Sequence, residues 1–312
     1  MGLAGSTRIE VAGHRSELGH WRAGHRAADP RLRGYVLGYF ASEGFLPTPL
    51  HERHLPGREV AIVLNFAAPH RIIDPLQPTG ATEHGNAWIV GLQHRHQIRE
   101  PFGARDFMVI RFTPIGAQML LPAPMDVLTD RTLALEDVDS RFARLLVKCA
   151  EAAHDWAGRF EIVEDIIAAR LACAPFPPAG LLRSWRMLQQ SPNHVDLARL
   201  PEQFGCSRGH LIAQFHKYFG MTPKMVARIG RFQLAVAAVH RLGRRDSLAY
   251  EEGKPYLDRQ AADGDRTVKQ TTMRWADLAL GCGYYDQSHF INEFRSFSGM
   301  SPAEFLQRTR NE

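Results

Sequence analysis

Leu278-Ala279-Leu280-Gly281-Cys282-Gly283-Tyr284-Tyr285-Asp286-Gln287-Ser288-His289-Phe290-Ile291-Asn292-Glu293-Phe294-Arg295-Ser296-Phe297-Ser298-Gly299-Met300-Ser301-Pro302 reads as an apolar helix, a turn glycine and a capped second helix that stops at Gly-Met-Ser-Pro. The same order occurs upstream in Leu200-Pro201-Glu202-Gln203-Phe204-Gly205-Cys206-Ser207-Arg208-Gly209-His210-Leu211-Ile212-Ala213-Gln214-Phe215-His216-Lys217-Tyr218-Phe219-Gly220-Met221-Thr222-Pro223. In the upstream copy Ser207 is placed to cap the second helix. Leu211, Phe215 and Phe219 recur every four residues and form one buried stripe, leaving Arg208, His210, Gln214 and Lys217 outward. In the downstream copy Asp286 takes the cap and Phe290, Phe294 and Phe297 make the stripe. Gln287, Ser288, His289, Asn292 and Arg295 then face outward. Gly205 and Gly283 stand where a tight turn between helices calls for positive φ.

Each motif alone fits an ordinary helical bundle with an aromatic core. Duplication, the shared Gly-Met-[Thr/Ser]-Pro ending and the charge around the motifs favour two helices offered to DNA. Residues 1–182 hold 19 basic and 20 acidic groups, whereas 183–312 hold 19 and 13. Within 196–245 nine Lys or Arg face only Asp196 and Glu202, the local excess that phosphate neutralisation requires.

The rest of the chain reads as ordinary globular material, with 45% apolar and 23% charged residues among 312. Its four cysteines, Cys149, Cys173, Cys206 and Cys282, form no CxxC pair, which suits a reducing cytosol. No apolar run approaches the ~20 residues of a membrane span, and the first residues lack a signal-peptide core, so a cytoplasmic protein without membrane contact is expected. Short β-branched and aromatic runs at Tyr35–Phe40, Val60–Phe66, Ala87–Val90 and Phe107–Phe112 predict a β sandwich or barrel over about 30–115. Helical spacing follows over 138–174, with Phe142, Leu145, Leu146 and Cys149 on one stripe and Ile162, Val163, Ile166, Ile167 and Leu171 on the next. These helices cover the barrel or make a dimer contact. The Pro-rich run 175–180 marks a linker between an N-terminal domain, 1–174, and a helical one, 181–312. Thr222 and Pro223 open a long helix running to about Leu242.

With these residues in view, 181–312 resembles the DNA-binding domain of AraC/XylS-type transcriptional regulators. Asp286-Gln287-Ser288-His289-Phe290 followed by Gly299-Met300-Ser301-Pro302 carries most of the likeness. The resemblance implies a seven-helix unit whose two helix-turn-helix motifs dock into neighbouring major-groove segments of promoter DNA. Its DNA-facing positions fall on Arg208, Gly209, His210, Ile212, Ala213, Gln214 and Lys217, and on Gln287, Ser288, His289, Ile291, Asn292 and Arg295. Arg105 to Ala117 and Leu128-Thr129-Asp130-Arg131 resemble, more weakly, the degenerate cupin-like sensor domains of that family. The expected class is therefore α+β: a cupin-like barrel with covering helices joined to an all-α domain with two helix-turn-helix motifs. Implied partners are double-stranded promoter DNA, RNA polymerase, a small-molecule effector and a second copy in a homodimer, with no cofactor.

Three features depart from the family pattern. Gly209, Ile212 and Ala213 offer no hydrogen bonds to base edges, although Ile212 or Ala213 can meet a thymine methyl. Pro201 costs ~3 kcal/mol inside a helix, which predicts a kinked or late-starting one. Residues 243–272, with six basic and six acidic groups, are an insert between the motifs that reads as a solvated loop. Two rival readings remain. His94, His96 and Glu100 have the spacing of a cupin metal motif, as in a metal-dependent enzyme, but the downstream histidine of such sites is missing. The chain is otherwise an interaction adaptor that does not bind DNA.

Overall fold

The computed structural model describes residues 8–17, 19–67, 69–74, 77–190, 195–243, 256–257 and 275–311. Two antiparallel sheets form the N-terminal part. The larger runs β1 (Glu10–Ser16), β2 (Gly19–Arg26), β3 (Val36–Leu46), β10 (Gly103–Phe112), β5 (Val60–Asn65), β8 (Ala87–Val90) and β11 (Thr132–Ala134), in that spatial order. The smaller runs β12 (Tyr256–Leu257), β4 (Glu52–His54), β9 (Gln97–Glu100), β6 (His70–Asp74) and β7 (Gln77–His84).

The central strands are apolar in unbroken runs because both of their faces are buried. Ile62, Leu64, Ile89, Met108, Ile110 and Phe112 join the main core with Phe142, Leu146, Phe160, Val163 and Ile167 of α3 (Leu135–Glu151) and α4 (Trp156–Ala172). Val63, Trp88, Val90 and Phe107 point the other way and meet Ile72 of the smaller sheet. Helices α3 and α4 therefore cover the larger sheet. On α3 the stripe is Phe142, Ala143, Leu146 and Ala150, and Leu145, expected inside, is 48% exposed. The β-rich part also begins earlier than residue 30, because the β1–β2 hairpin is largely exposed and polar and so lacks an apolar alternation.

Two short helices, α1 (Pro114–Leu120) and α2 (Met125–Leu128), follow β10 and pack on the C-terminal part. That part contains, among the described residues, seven helices: α5 (Ala179–Gln190), α6 (Leu200–Gln203), α7 (Arg208–Phe219), α8 (Pro223–Gly243), α9 (Trp275–Gly281), α10 (Gln287–Ser298) and α11 (Pro302–Asn311). Residues 175–178 belong to no helix or strand, yet one apolar core continues from the larger sheet through α1 and α2 into α7 and α8. Helix α6 starts at Leu200, so Pro201 lies in its first turn, where the missing N–H would have no partner anyway. This is the late start that the proline dictates. Of the insert, Gly243 ends α8 and Tyr256–Leu257 pairs antiparallel with Glu52 and Arg53 of β4; the solvated-loop expectation otherwise lies outside the described residues.

Candidate nucleic-acid interface

Helix α10 is set by its two ends. The Asp286 carboxylate accepts from His289 N at 2.7 Å, which satisfies a free N–H of the first turn. Gly299 closes the helix at φ 77°, donating its N–H to the Arg295 carbonyl at 2.8 Å. Gly283, at φ 81°, makes the turn from α9. Phe290, Phe294 and Phe297 are buried, and Gln287, Ser288, His289, Asn292 and Arg295 are exposed, with Ile291 half-buried.

Helix α7 repeats the construction. Ser207 Oγ accepts from His210 N at 3.2 Å, Gly205 turns at φ 59°, and Gly220 ends the helix at φ 69°. Leu211, Phe215 and Phe219 are buried, while Arg208, Gly209, His210, Ala213 and Lys217 are exposed and Ile212 and Gln214 half-buried. Both helices thus turn a polar face and a positive N-terminal end outward, the arrangement that meets phosphate and base edges.

An ion cluster joins α8 to α10. Glu293 is only 6% exposed, and it accepts from Arg228 Nε at 2.7 Å, with Arg231 at 3.8 Å. Arg228 also lies 5.2 Å over the Phe297 ring. The sequence held a signal for this acid: three residues after Phe290 and four before Phe297, it falls on the buried stripe. Tyr285, 87% exposed immediately before the α10 cap, is a second feature that the outward-facing set omitted. Of the Tyr284-Tyr285 pair, Tyr284 is the buried one.

The C-terminal ends of both helices rest on the N-terminal part. Thr129 Oγ1 donates to the Gly220 carbonyl at 2.9 Å. A Cβ on Gly220 would lie 2.2 Å from that hydroxyl oxygen and 2.8 Å from the Met125 carbonyl. At α10, Arg53 Nη1 donates to the Ser298 carbonyl and His96 N to the Phe297 carbonyl, each at 2.9 Å. A Cβ on Gly299 would lie 2.3 Å from the His96 ring. Helix C-termini carry unpaired carbonyls and partial negative charge, so these donors satisfy what the helices leave open.

The same contacts undo the metal motif. His94 Nδ1 is 2.6 Å from Asp130, His96 faces Gly299, and Glu100 is 2.8 Å from His51 Nε2. His94 and His96 lie in the turn before β9 rather than on alternate positions of a strand, so the three do not converge. Among the described residues no three His, Cys, Asp or Glu side chains stand close enough together to hold a metal ion. Among them, too, no helix is long and apolar enough to cross a membrane.

Residues 268–307, which span α9, α10 and the start of α11, match the profile of bacterial regulatory helix-turn-helix proteins of the AraC family. Over that stretch the chain is similar to the DNA-binding helix-turn-helix of AraC-type regulators. Residues 25–134 match a domain of unknown function, DUF6597. Among curated proteins none matches. Solved structures similar to the chain include ToxT from Vibrio cholerae, at 9% identity and TM-score 0.44, covering 86% of this chain and 98% of that one. A DNA-binding transcriptional dual regulator from Escherichia coli K-12 aligns at 19% identity and TM-score 0.29, over 42% of this chain and 99% of that one. The AraC-type match covers the downstream motif; the upstream motif stands on its geometry, a four-residue helix, a glycine turn and a capped helix.

Proposed function

We propose that the protein is a bacterial transcription regulator that binds promoter DNA through α7 and α10 together, and whose N-terminal barrel adjusts their presentation in response to a small molecule. The observation that carries this reading is the shared seating of the two helices. Each rests its left-handed C-terminal glycine on the barrel or its short helices, while its capped N-terminal turn is exposed. A change in the barrel is thereby felt at both DNA-facing helices at once. The base-reading set is Arg208, His210 and Gln214 in α7 and Gln287, Ser288, His289, Asn292 and Arg295 in α10, with Gly209, Ile212, Ala213 and Ile291 supplying close or apolar approach. Lys217 is a phosphate contact. Occupancy of the promoter then acts on RNA polymerase.

The test is selection of duplexes from a random DNA pool by the full-length protein near physiological salt. A bipartite site spanning two neighbouring major-groove segments is the expected result. Weak, salt-sensitive binding of every sequence alike would refute sequence-specific regulation.

A further inference from the structure

A cavity of about 120 Å³ lies between the two sheets of the barrel. Phe40, Ala61, Val90, Phe107 and Val109 give it an apolar wall from the larger sheet, with the Phe40 and Phe107 rings 5.8 Å apart. The smaller sheet presents Glu52 and His54 from β4, and Gln97 and Arg99 from β9. The charges on this lining do not cancel pair by pair. Glu59 is held by Arg111 at 2.7 and 3.0 Å, and Glu52 faces Arg105 at 3.2 Å. Arg99, opposite Glu52 in the β4–β9 register, has neither a hydrogen bond nor an ion pair from its side chain to any described residue. Its Nε is shut off from solvent without a partner. Burial pulls the Arg99 guanidinium down to about 10, with Glu52 offsetting only part of this. Burial, followed by the Arg99 charge, brings His54 down to about 4, so His54 is neutral at neutral pH and supplies no second cation.

The geometry points to a small organic anion, a carboxylate on an apolar body, as the ligand of this cavity, with its acid group on Arg99 and its body against Phe40 and Phe107. The inference rests on the reading of the barrel as the sensing domain and states what it senses. A partly buried guanidinium whose Nε has neither solvent nor a partner is costly, and a planar fork of donors matches a carboxylate that stays ionised at neutral pH. The volume suits a body about the size of a benzene ring. The site is also placed to be read. Glu52 and His54 face the cavity while Arg53 between them holds the end of α10. In the next segment Leu55, Gly57 and Glu59 line the cavity, while Arg58 donates to Gln233 of α8 at 2.8 Å.

Calorimetric titration of the full-length protein with phenylacetate and hexanoate, each against its primary amide, tests the site without reference to DNA. At least one acid is expected to bind saturably, and about tenfold more tightly than its amide. Arg99→Gln should lose that binding and Arg99→Lys keep part of it. Equal affinity for acid and amide, no binding of either acid at millimolar concentration, or undiminished binding by a folded Arg99→Gln variant would overturn the inference. Should Arg99→Gln not fold, the acid–amide comparison on the unaltered protein decides. Acid binding by a protein that selects no DNA would sustain this site while refuting the regulator reading; DNA selection without acid binding would do the converse.

Discussion

Asn292 and Lys217 are both exposed on the helices proposed to face DNA, yet their chemistry assigns them different work. An amide can pair with an adenine edge, so Asn292→Ala should relax discrimination at one base position, by about 1–3 kcal/mol, in a binding series over single-base variants of the selected site. Loss of affinity that is identical for every variant would remove Asn292 from the base-reading set. Lys217→Ala should weaken all sequences alike and flatten the slope of log affinity against log salt by about 1. Glu293 acts within the protein. Removing its charge leaves Arg228 and Arg231 without their shared partner, and Glu293→Gln should lower unfolding stability by about 1.5–3 kcal/mol in urea titration. In the barrel, the partly buried His54 titrates against stability. Its folded value of about 4 lies below the ordinary 6.5, so the unfolded chain takes up the proton first as pH falls. Stability should therefore drop between about 6.5 and 4 and level off below, and thermal melts of His54→Gln should show a shallower drop across that window.

At the scale of elements, the helices of the C-terminal part were the most legible. Cap residues, turn glycines and aromatic stripes act over a few positions, so Ser207, Asp286, Gly205 and Gly283 stand in the structure in the geometry their types allow. Pro201 shows how position decides cost. In the first turn of α6 it removes no hydrogen bond, so Pro201→Ala should shift stability by less than about 1 kcal/mol rather than the ~3 of an interior proline. The strands were legible where apolar residues run together, as at the start of β3 and along the strands buried on both faces. β5, β8 and β10 appear as apolar runs, while β1, β4 and β9 carry too many polar residues to be read. On β4 and β9 the reason is specific: Glu52, His54, Gln97 and Arg99 are polar residues on an inward face, around a cavity rather than a packed core.

At the scale of the whole molecule, the deciding contacts tie the barrel to the C-terminal ends of α7 and α10. A variant carrying Arg53→Ala and Thr129→Val removes one donor from each helix end and leaves the exposed faces untouched. Its affinity for the selected duplex should differ from that of the unaltered protein by about fivefold or more, the scale of an ordinary coupling energy. An unchanged affinity would mean that the barrel does not influence how the helices meet DNA.

The sequence by itself determined that the last third of the chain holds two capped helices, each behind a glycine turn, and that a β-rich part precedes them. Those features rest on periodicity, capping and turn chemistry, which operate between residues a few positions apart. It did not determine which ends of those helices would be seated and which exposed. Nor did it show that His96 would abut a helix end instead of a metal, or that Arg99 would be left inside a cavity. Arg53 meets Ser298 across 245 positions of chain, and no local pattern records such a pairing. Only the packing of the sheets against the helices decides it, because the partners are chosen by where the folded surfaces meet.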